Sequence, residues 1–203
     1  LEDCTGQENV AIGKGAAQQA TSGDNNVVIG MNAMGEGITT GNDNQIIGAN
    51  AGKSMTSGYR NVGIGTECLE ANTTGNKNVA IGFKAMENST GADQCVAIGY
   101  TALNANTSDY QTAVGYETLS AHIDGSENTG VGFNVMTSLQ SGTKNTGVGY
   151  KALKYCIGSN NTAVGHDSLE SCTDSPGNTA VGSYTMGAAT VSGSTDGYNT
   201  AIG

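Results

Sequence analysis

Hydrophobic and polar positions alternate in one short segment that recurs along the whole chain, spelled NVAIG, CVAIG, NTAVG, NTGVG or NTAIG. Within each copy the branched residues, Val or Thr and then Ile or Val, point one way and the intervening Ala or Gly points the other. That period of two predicts a short strand. Val10 and Ile12, Val79 and Ile81, Thr112 and Val114, and Thr179 and Val181 share one face; Ala11, Gly63, Ala80, Ala113, Gly130, Gly147, Ala163 and Ala180 share the other. The branched face is expected to turn inward, as the core side of the strand. After the closing glycine comes a second half such as Phe-Lys-Ala-Met (83–86) or Tyr-Lys-Ala-Leu (150–153), which carries a further apolar column: Met34, Leu69, Met86, Leu103, Leu119, Met136, Leu153, Leu169 and Met186. A polar loop rich in Asn, Thr, Ser, Asp and Gly closes the unit.

The closing glycines stand at Gly13, Gly30, Gly48, Gly65, Gly82, Gly99, Gly115, Gly132, Gly149, Gly165, Gly182 and Gly203, twelve copies mostly 16 to 18 residues apart with a last interval of 21. Self-similarity at one fixed period is the mark of a stacked architecture. Helical coils are a poor reading, because glycine, asparagine and threonine recur every few positions and glycine alone costs about 1 kcal/mol relative to alanine in a helix. The fold class expected is therefore all-β: a repetitive parallel β-roll or β-solenoid of about twelve coils of roughly 17 residues. Equivalent residues would stack about 4.8 Å apart, giving a rod roughly 50 Å long. Residues 1–203 form a single repeat domain in this reading. Leu1-Glu2-Asp3-Cys4-Thr5 matches Leu169-Glu170-Ser171-Cys172-Thr173, so the chain begins in mid-repeat, as an excerpt of a longer fibre would, or as a coil edge that meets another subunit.

The asparagine that opens the motif supports stacking. Asn9, Asn26, Asn44, Asn61, Asn78, Asn128, Asn145, Asn161, Asn178 and Asn199 occupy one repeat position, interrupted by Cys95 and Gln111. Side-chain amides stacked in this way can hydrogen-bond up and down a structural ladder, and asparagine tolerates corner geometry. The apolar side chains of a single coil fall well short of its ordering cost, so the coil depends on its neighbours. The Ala/Gly column, which lets another backbone come close, is expected to be the face on which a second copy packs.

Composition narrows the function. Thirty-two glycines, one proline, no tryptophan and 13% charged residues suit many tight turns rather than an ordinary enzyme core. A net charge of −10 with eight Lys and Arg forms no basic stripe, which argues against nucleic acid. No run approaches the roughly 18 apolar residues that cross a bilayer, so membrane insertion is not expected. LEDCTGQE lacks the basic and apolar regions of a signal peptide, so a signal for export would lie outside this chain.

Catalytic chemistry is not expected. His122 and His166 are isolated, and no metalloprotease motif, paired CxxC, nucleophile elbow or phosphate loop occurs, so no catalytic residue, metal or cofactor is assigned. Cys156 and Cys172 hold matching positions in adjacent coils, where a disulfide or two free buried thiols would both fit; Cys4 shares the position. Phe83, Tyr100, Tyr116, Phe133 and Tyr150 follow the closing glycine in five consecutive copies. They form an aromatic column that either packs within the sheet or stacks on sugar rings, which would make surface glycans a partner. Asn72, Asn88, Asn106 and Asn160 lie in glycosylation sequons, and Asp24, Asp43, Asp93 and Asp109 are loop charges that read as solvated rather than calcium-binding. Thr112, Thr129, Thr146, Thr162, Thr179 and Thr200 form a column that could serve an ice face, but on the parity taken as inward.

The units NVAIG, CVAIG, NTAVG and NTAIG resemble the strand motif of trimeric autotransporter adhesin heads. In those proteins short repeats form a left-handed parallel β-roll and three chains associate about an axis. The longer unit NTAVG-Y-x-A-L is also similar to repeats of bacteriophage and other viral fibres. The resemblance covers the whole chain and implies a rigid, protease-resistant shaft outside a cell or on a virion, self-associated as a homotrimer or a head-to-tail filament. A single-chain solenoid that binds carbohydrate or ice is the alternative reading.

Overall fold

Each copy of the motif forms a strand because its branched residues favour extended backbone and the following glycine ends it. The structure, a computed structural model, describes residues 5–20, 22–121, 124–139, 141–171, 176–187 and 198–203. Its strands are β1 (Val10–Ile12), β2 (Val27–Ile29), β3 (Gln45–Ile47), β4 (Val62–Ile64), β5 (Val79–Ile81), β6 (Val96–Ile98), β7 (Thr112–Val114), β8 (Thr129–Phe133), β9 (Thr146–Tyr150), β10 (Thr162–Val164), β11 (Thr179–Val181) and β12 (Thr200–Ile202). They make one sheet in strict chain order, and every pair is parallel and in register: Val79 lies beside Val96, Ala80 beside Ala97 and Ile81 beside Ile98. With no helix among the described residues, coils of about 17 residues stack into a β-solenoid.

The turn after each strand explains the spacing. From Gly13 to Gly182 the closing glycine holds φ between 127° and 145°, and a Cβ there would strike the carbonyl of the next coil's glycine, Gly132 in the case of Gly115. No other residue fits such a position without strain. Two further residues per turn adopt left-handed backbone, and apart from Gly15 and Gly52 they are not glycine, such as Lys84 (φ 56°) and Met86 (φ 53°). Each costs on the order of 1 kcal/mol. Inter-coil bonds offset that cost: the Lys84 N–H donates to the Thr66 carbonyl and the Met86 N–H to the Ala102 carbonyl, both at 3.0 Å. The result is a turn that aims two successive side chains, Ala85 and Met86, into the core.

The core corrects the expected facing of the strands. The second residue of each strand is the one turned inward, fully enclosed as with Ala80, Ala97, Ala113, Ala163 and Ala180 and partly so in β1 and β12, while the residues on either side face outward. The physical reason is the narrowness of the coil. A Leu or Met from the following turn crosses the interior and meets the strand from inside, leaving room for a methyl group or less. Where a strand carries a larger middle residue, its neighbours shrink. Ile46 is fully buried, Gly52 stands in its turn where other coils have Leu or Met, and a Cβ on Gly63 would lie 3.0 Å from the Ile46 Cδ1. The converse holds at β8 and β9: Gly130 and Gly147 flank the buried Val135, whose Cγ1 would lie 2.7 Å from a Cβ on Gly147. Total volume is conserved between neighbours, as close packing demands.

Candidate interaction face

The outward residues of the twelve strands form two continuous columns. One runs Val10, Val27, Gln45, Val62, Val79, Val96 and then threonine from Thr112 to Thr200; the other is Ile or Val throughout, from Ile12 to Ile202. None of these positions carries a charge. Ile47, Ile64, Ile98, Val131, Val148, Val164 and Val181 are each 36 to 40% exposed, and the parallel register sets this column strand upon strand. The Ala/Gly column, expected to receive a second copy, is enclosed in the core and cannot. Sequence reading missed this face because alternation reveals two sides of a strand without revealing which is inside, and in this coil the bulkier side lies outside.

An aromatic ladder borders the sheet at the C-terminal ends of its strands. Phe83, Tyr100, Tyr116, Phe133 and Tyr150 stack with centroids 4.9 to 5.3 Å apart and interplanar angles of 6 to 18°. The column continues through His166, 4.7 Å from Tyr150, to a tilted Tyr184 at 5.1 Å. His166 follows Gly165 as Tyr150 follows Gly149, a signal in the sequence that extends the column by a ring. The rings cover one another's faces and leave their edges to solvent. Lys151 Nζ lies 4.9 Å from the Tyr150 centroid, and a hydrogen bond to Glu117 holds the Tyr116 phenol above its ordinary pKa.

On the N-terminal side of the strands runs the asparagine ladder. Asn145 Oδ1 accepts from the Asn161 backbone N–H at 2.9 Å and from its side-chain amide at 3.2 Å, while Asn145 Nδ2 donates to Asn128 Oδ1 at 3.1 Å and to the Gly158 carbonyl at 2.9 Å. The same pattern joins Asn26, Asn44 and Asn61, and Asn178 accepts from Asn199; these side chains are buried except at the end of the ladder. Asn78 accepts the Cys95 N–H at 2.9 Å, and Gln111 accepts from Asn128 at 3.2 Å. Two residues earlier in each loop a second column is built from side chains that sequence reading left to solvent. Asp24 accepts from the Gln7 N–H, Asp93 from the Asn76 N–H, and Asp109 from the Asp93 N–H, at 2.7 to 2.8 Å. Asp43 instead pairs with Arg60 at 3.5 Å.

The remaining candidates fall apart in space or are already occupied. Among the described residues Glu67, Glu70 and Glu87 bring three carboxylates within 4.8 Å of one another. Lys84 Nζ sits among them, 3.2 Å from Glu67 and 2.8 Å from Glu87, with Lys53 3.9 Å from Glu70, so the group is a charge ladder closed by ammonium ions. Burial, together with the charge of Glu67, raises the pKa of Glu70. Cys68 and Cys95 are free and buried, and burial pushes their thiols up to about 12 and about 11. Such thiols are not nucleophiles at neutral pH. Cys156 is buried and disulfide-bonded. Cys172, proposed as its partner, lies outside the described residues, as do Cys4 and His122. Of the sequon asparagines, Asn72 and Asn106 are fully buried, Asn88 is exposed and donates to Asn104 Oδ1 at 3.0 Å, and Asn160 is exposed.

A cleft of about 330 Å³ opens on the loop corner between residues 107–110 and 125–127, on the opposite edge of the sheet from the aromatic ladder. No helix of the described residues is long and apolar enough to cross a membrane. No family model, no curated protein and no solved structure matches the chain.

Proposed function

We propose that the protein is a non-enzymatic structural and adhesive shaft, part of a fibre or surface filament outside a cell or on a virion. Copies associate side by side through the outward face of the sheet. The observation that carries this reading is the uncharged face that runs from β1 to β12, branched at every position but Gln45. At about 4.8 Å per strand and about 10 Å across it covers on the order of 500 Å², the scale of the largest patch on a monomer, which is often functional. Because every coil repeats the same two columns, a second copy meets matching residues along the full length. Resemblance to trimeric adhesin-head repeats favours three copies about a shared axis.

The test is the native mass by light scattering, with Val131→Lys and Val148→Lys as paired variants at exposed positions. A trimer that falls to a monomer in the double variant, with an unchanged β circular-dichroism spectrum, is the expected result. A wild-type monomer overturns the reading, and an open-ended polymer replaces it with a head-to-tail filament. One observation favours a second reading: the threonines of β7 to β12 share the outward face with a valine or isoleucine two residues on, so the objection that they point inward is gone. Thermal hysteresis at micromolar protein would establish an ice-binding face in place of the shaft.

A further inference from the structure

We infer that the cleft between residues 107–110 and 125–127 binds a neutral saccharide, which supplies the adhesive half of the shaft proposed above. The two departures from the asparagine ladder, Cys95 and Gln111, both anchor this cleft. The Cys95 thiol lies 3.4 Å from the Ser108 carbonyl, which also accepts from Asn106 Nδ2 at 2.7 Å. Gln111 Nε2 donates to the Gly125 carbonyl at 2.6 Å, from a side chain one methylene longer than the asparagine of other coils. Both walls are thus held by residues the consensus lacks.

The backbone opens at the same level. In the loop before each strand one N–H donates to the carbonyl of the coil below: Tyr110 to Asp93 at 3.1 Å, Lys144 to Ser126 at 3.1 Å, Asn160 to Thr143 at 2.8 Å. Among the described residues each rung of this series from Asn25 to Gly177 is present except that between the Glu127 N–H and the Asp109 carbonyl. The cleft lies at that level, lined by the two loops.

Its chemistry selects the ligand. The Asp109 and Glu127 carboxylates accept hydrogen bonds, the Ser126 hydroxyl both donates and accepts, and the Tyr110 ring, 53% exposed, offers an apolar surface to the C–H face of a sugar. Among the described residues no lysine or arginine lines the cleft, which disfavours phosphate, sulfate and sialic acid on a chain of net charge −10. Nor do three carboxylates converge there among the described residues, as a divalent cation would prefer. The volume lies at the small end of ligand sites, fitting one or two sugar rings.

The experiment is saturation-transfer NMR of the full chain against neutral mono- and disaccharides and their sialylated counterparts, with the native mass of each sample recorded alongside. Neutral sugars should bind and sialylated ones should not. Tyr110→Ala and Glu127→Gln, both exposed positions, should each weaken binding roughly tenfold. Gln111→Asn, which restores the consensus and draws the wall back, should weaken binding while raising Tm, an outcome that a merely structural role for Gln111 does not produce. Absence of saccharide binding, binding indifferent to Tyr110→Ala, or calcium alone titrating onto Asp109 and Glu127 would overturn the inference. Sugar binding by a monomer would uphold the cleft while removing the side-by-side shaft.

Discussion

Coils β8 to β11 and coils β6 to β7 share one architecture but differ in the ladder that opens each strand. In the first group Asn128, Asn145, Asn161 and Asn178 link through side-chain and backbone bonds at 2.9 to 3.2 Å. In the second, a thiol and a longer amide replace two asparagines, and the loop ladder opens beside them at Glu127. The strands themselves stay in register through both regions. Backbone pairing therefore sets the rise and register of the rod, while the buried amide column sets how tightly the loop corner is drawn in. Relaxing that column costs local stability and makes room for a cleft.

Removing a regular rung should produce the largest effect. Asn145→Ala strips two acceptor contacts from Asn161 and two donor contacts of its own inside the core, and is expected to lower stability by about 4 kcal/mol, read by urea unfolding. A loss below about 1 kcal/mol would show that the amide column is dispensable. Volume gives the next break, at a coil where packing rather than hydrogen bonding departs from the repeat. Ile46→Ala should cost about 3 kcal/mol. Adding Gly52→Leu, at a position where other coils hold Leu or Met in the same left-handed backbone, should recover part of that loss, and an additive double variant would refute the volume exchange.

Restoring the irregular region should have a smaller effect of opposite sign. Cys95→Asn supplies the amide the ladder lacks and should stabilise the protein by about 1 kcal/mol. The smallest effect concerns alkali. The Cys68 and Cys95 thiols, raised by burial from an ordinary 9.0 to about 12 and about 11, keep protons in the folded chain that the unfolded chain releases. Their contribution is complete below pH 9 and is lost as pH climbs through those values. Cys68→Ala/Cys95→Ala should therefore flatten the alkaline limb of a Tm–pH curve, and native protein at pH 8 should resist iodoacetamide at both thiols.

Much of the fold was legible because a repeat states its rules many times. Twelve closing glycines mark the coils, the two-residue alternation marks the strands, and Met86 and Leu103 mark the inner column. The sites were less legible. The aromatic column could be read from Phe83 to Tyr150, yet the stacking that covers each ring face depends on a 5 Å rise that no single coil reveals. The roles of Asp93 and Asp109 as acceptors for a neighbouring coil's N–H were hidden for the same reason, since their partners lie 16 or 17 residues away.

By itself the sequence determined the period, the parallel stacking and the identity of every residue that repeats, because translation by one coil brings like onto like whatever the coil's shape. Only the tertiary structure decided which side of the strand is inside. That choice depends on the width of the coil, which is set when the turn sends Leu69 or Leu153 across the interior to meet a strand residue no larger than Gly63 or Gly147. Once that space is filled, the branched residues have nowhere to go but outward, and the face that a partner can meet is theirs.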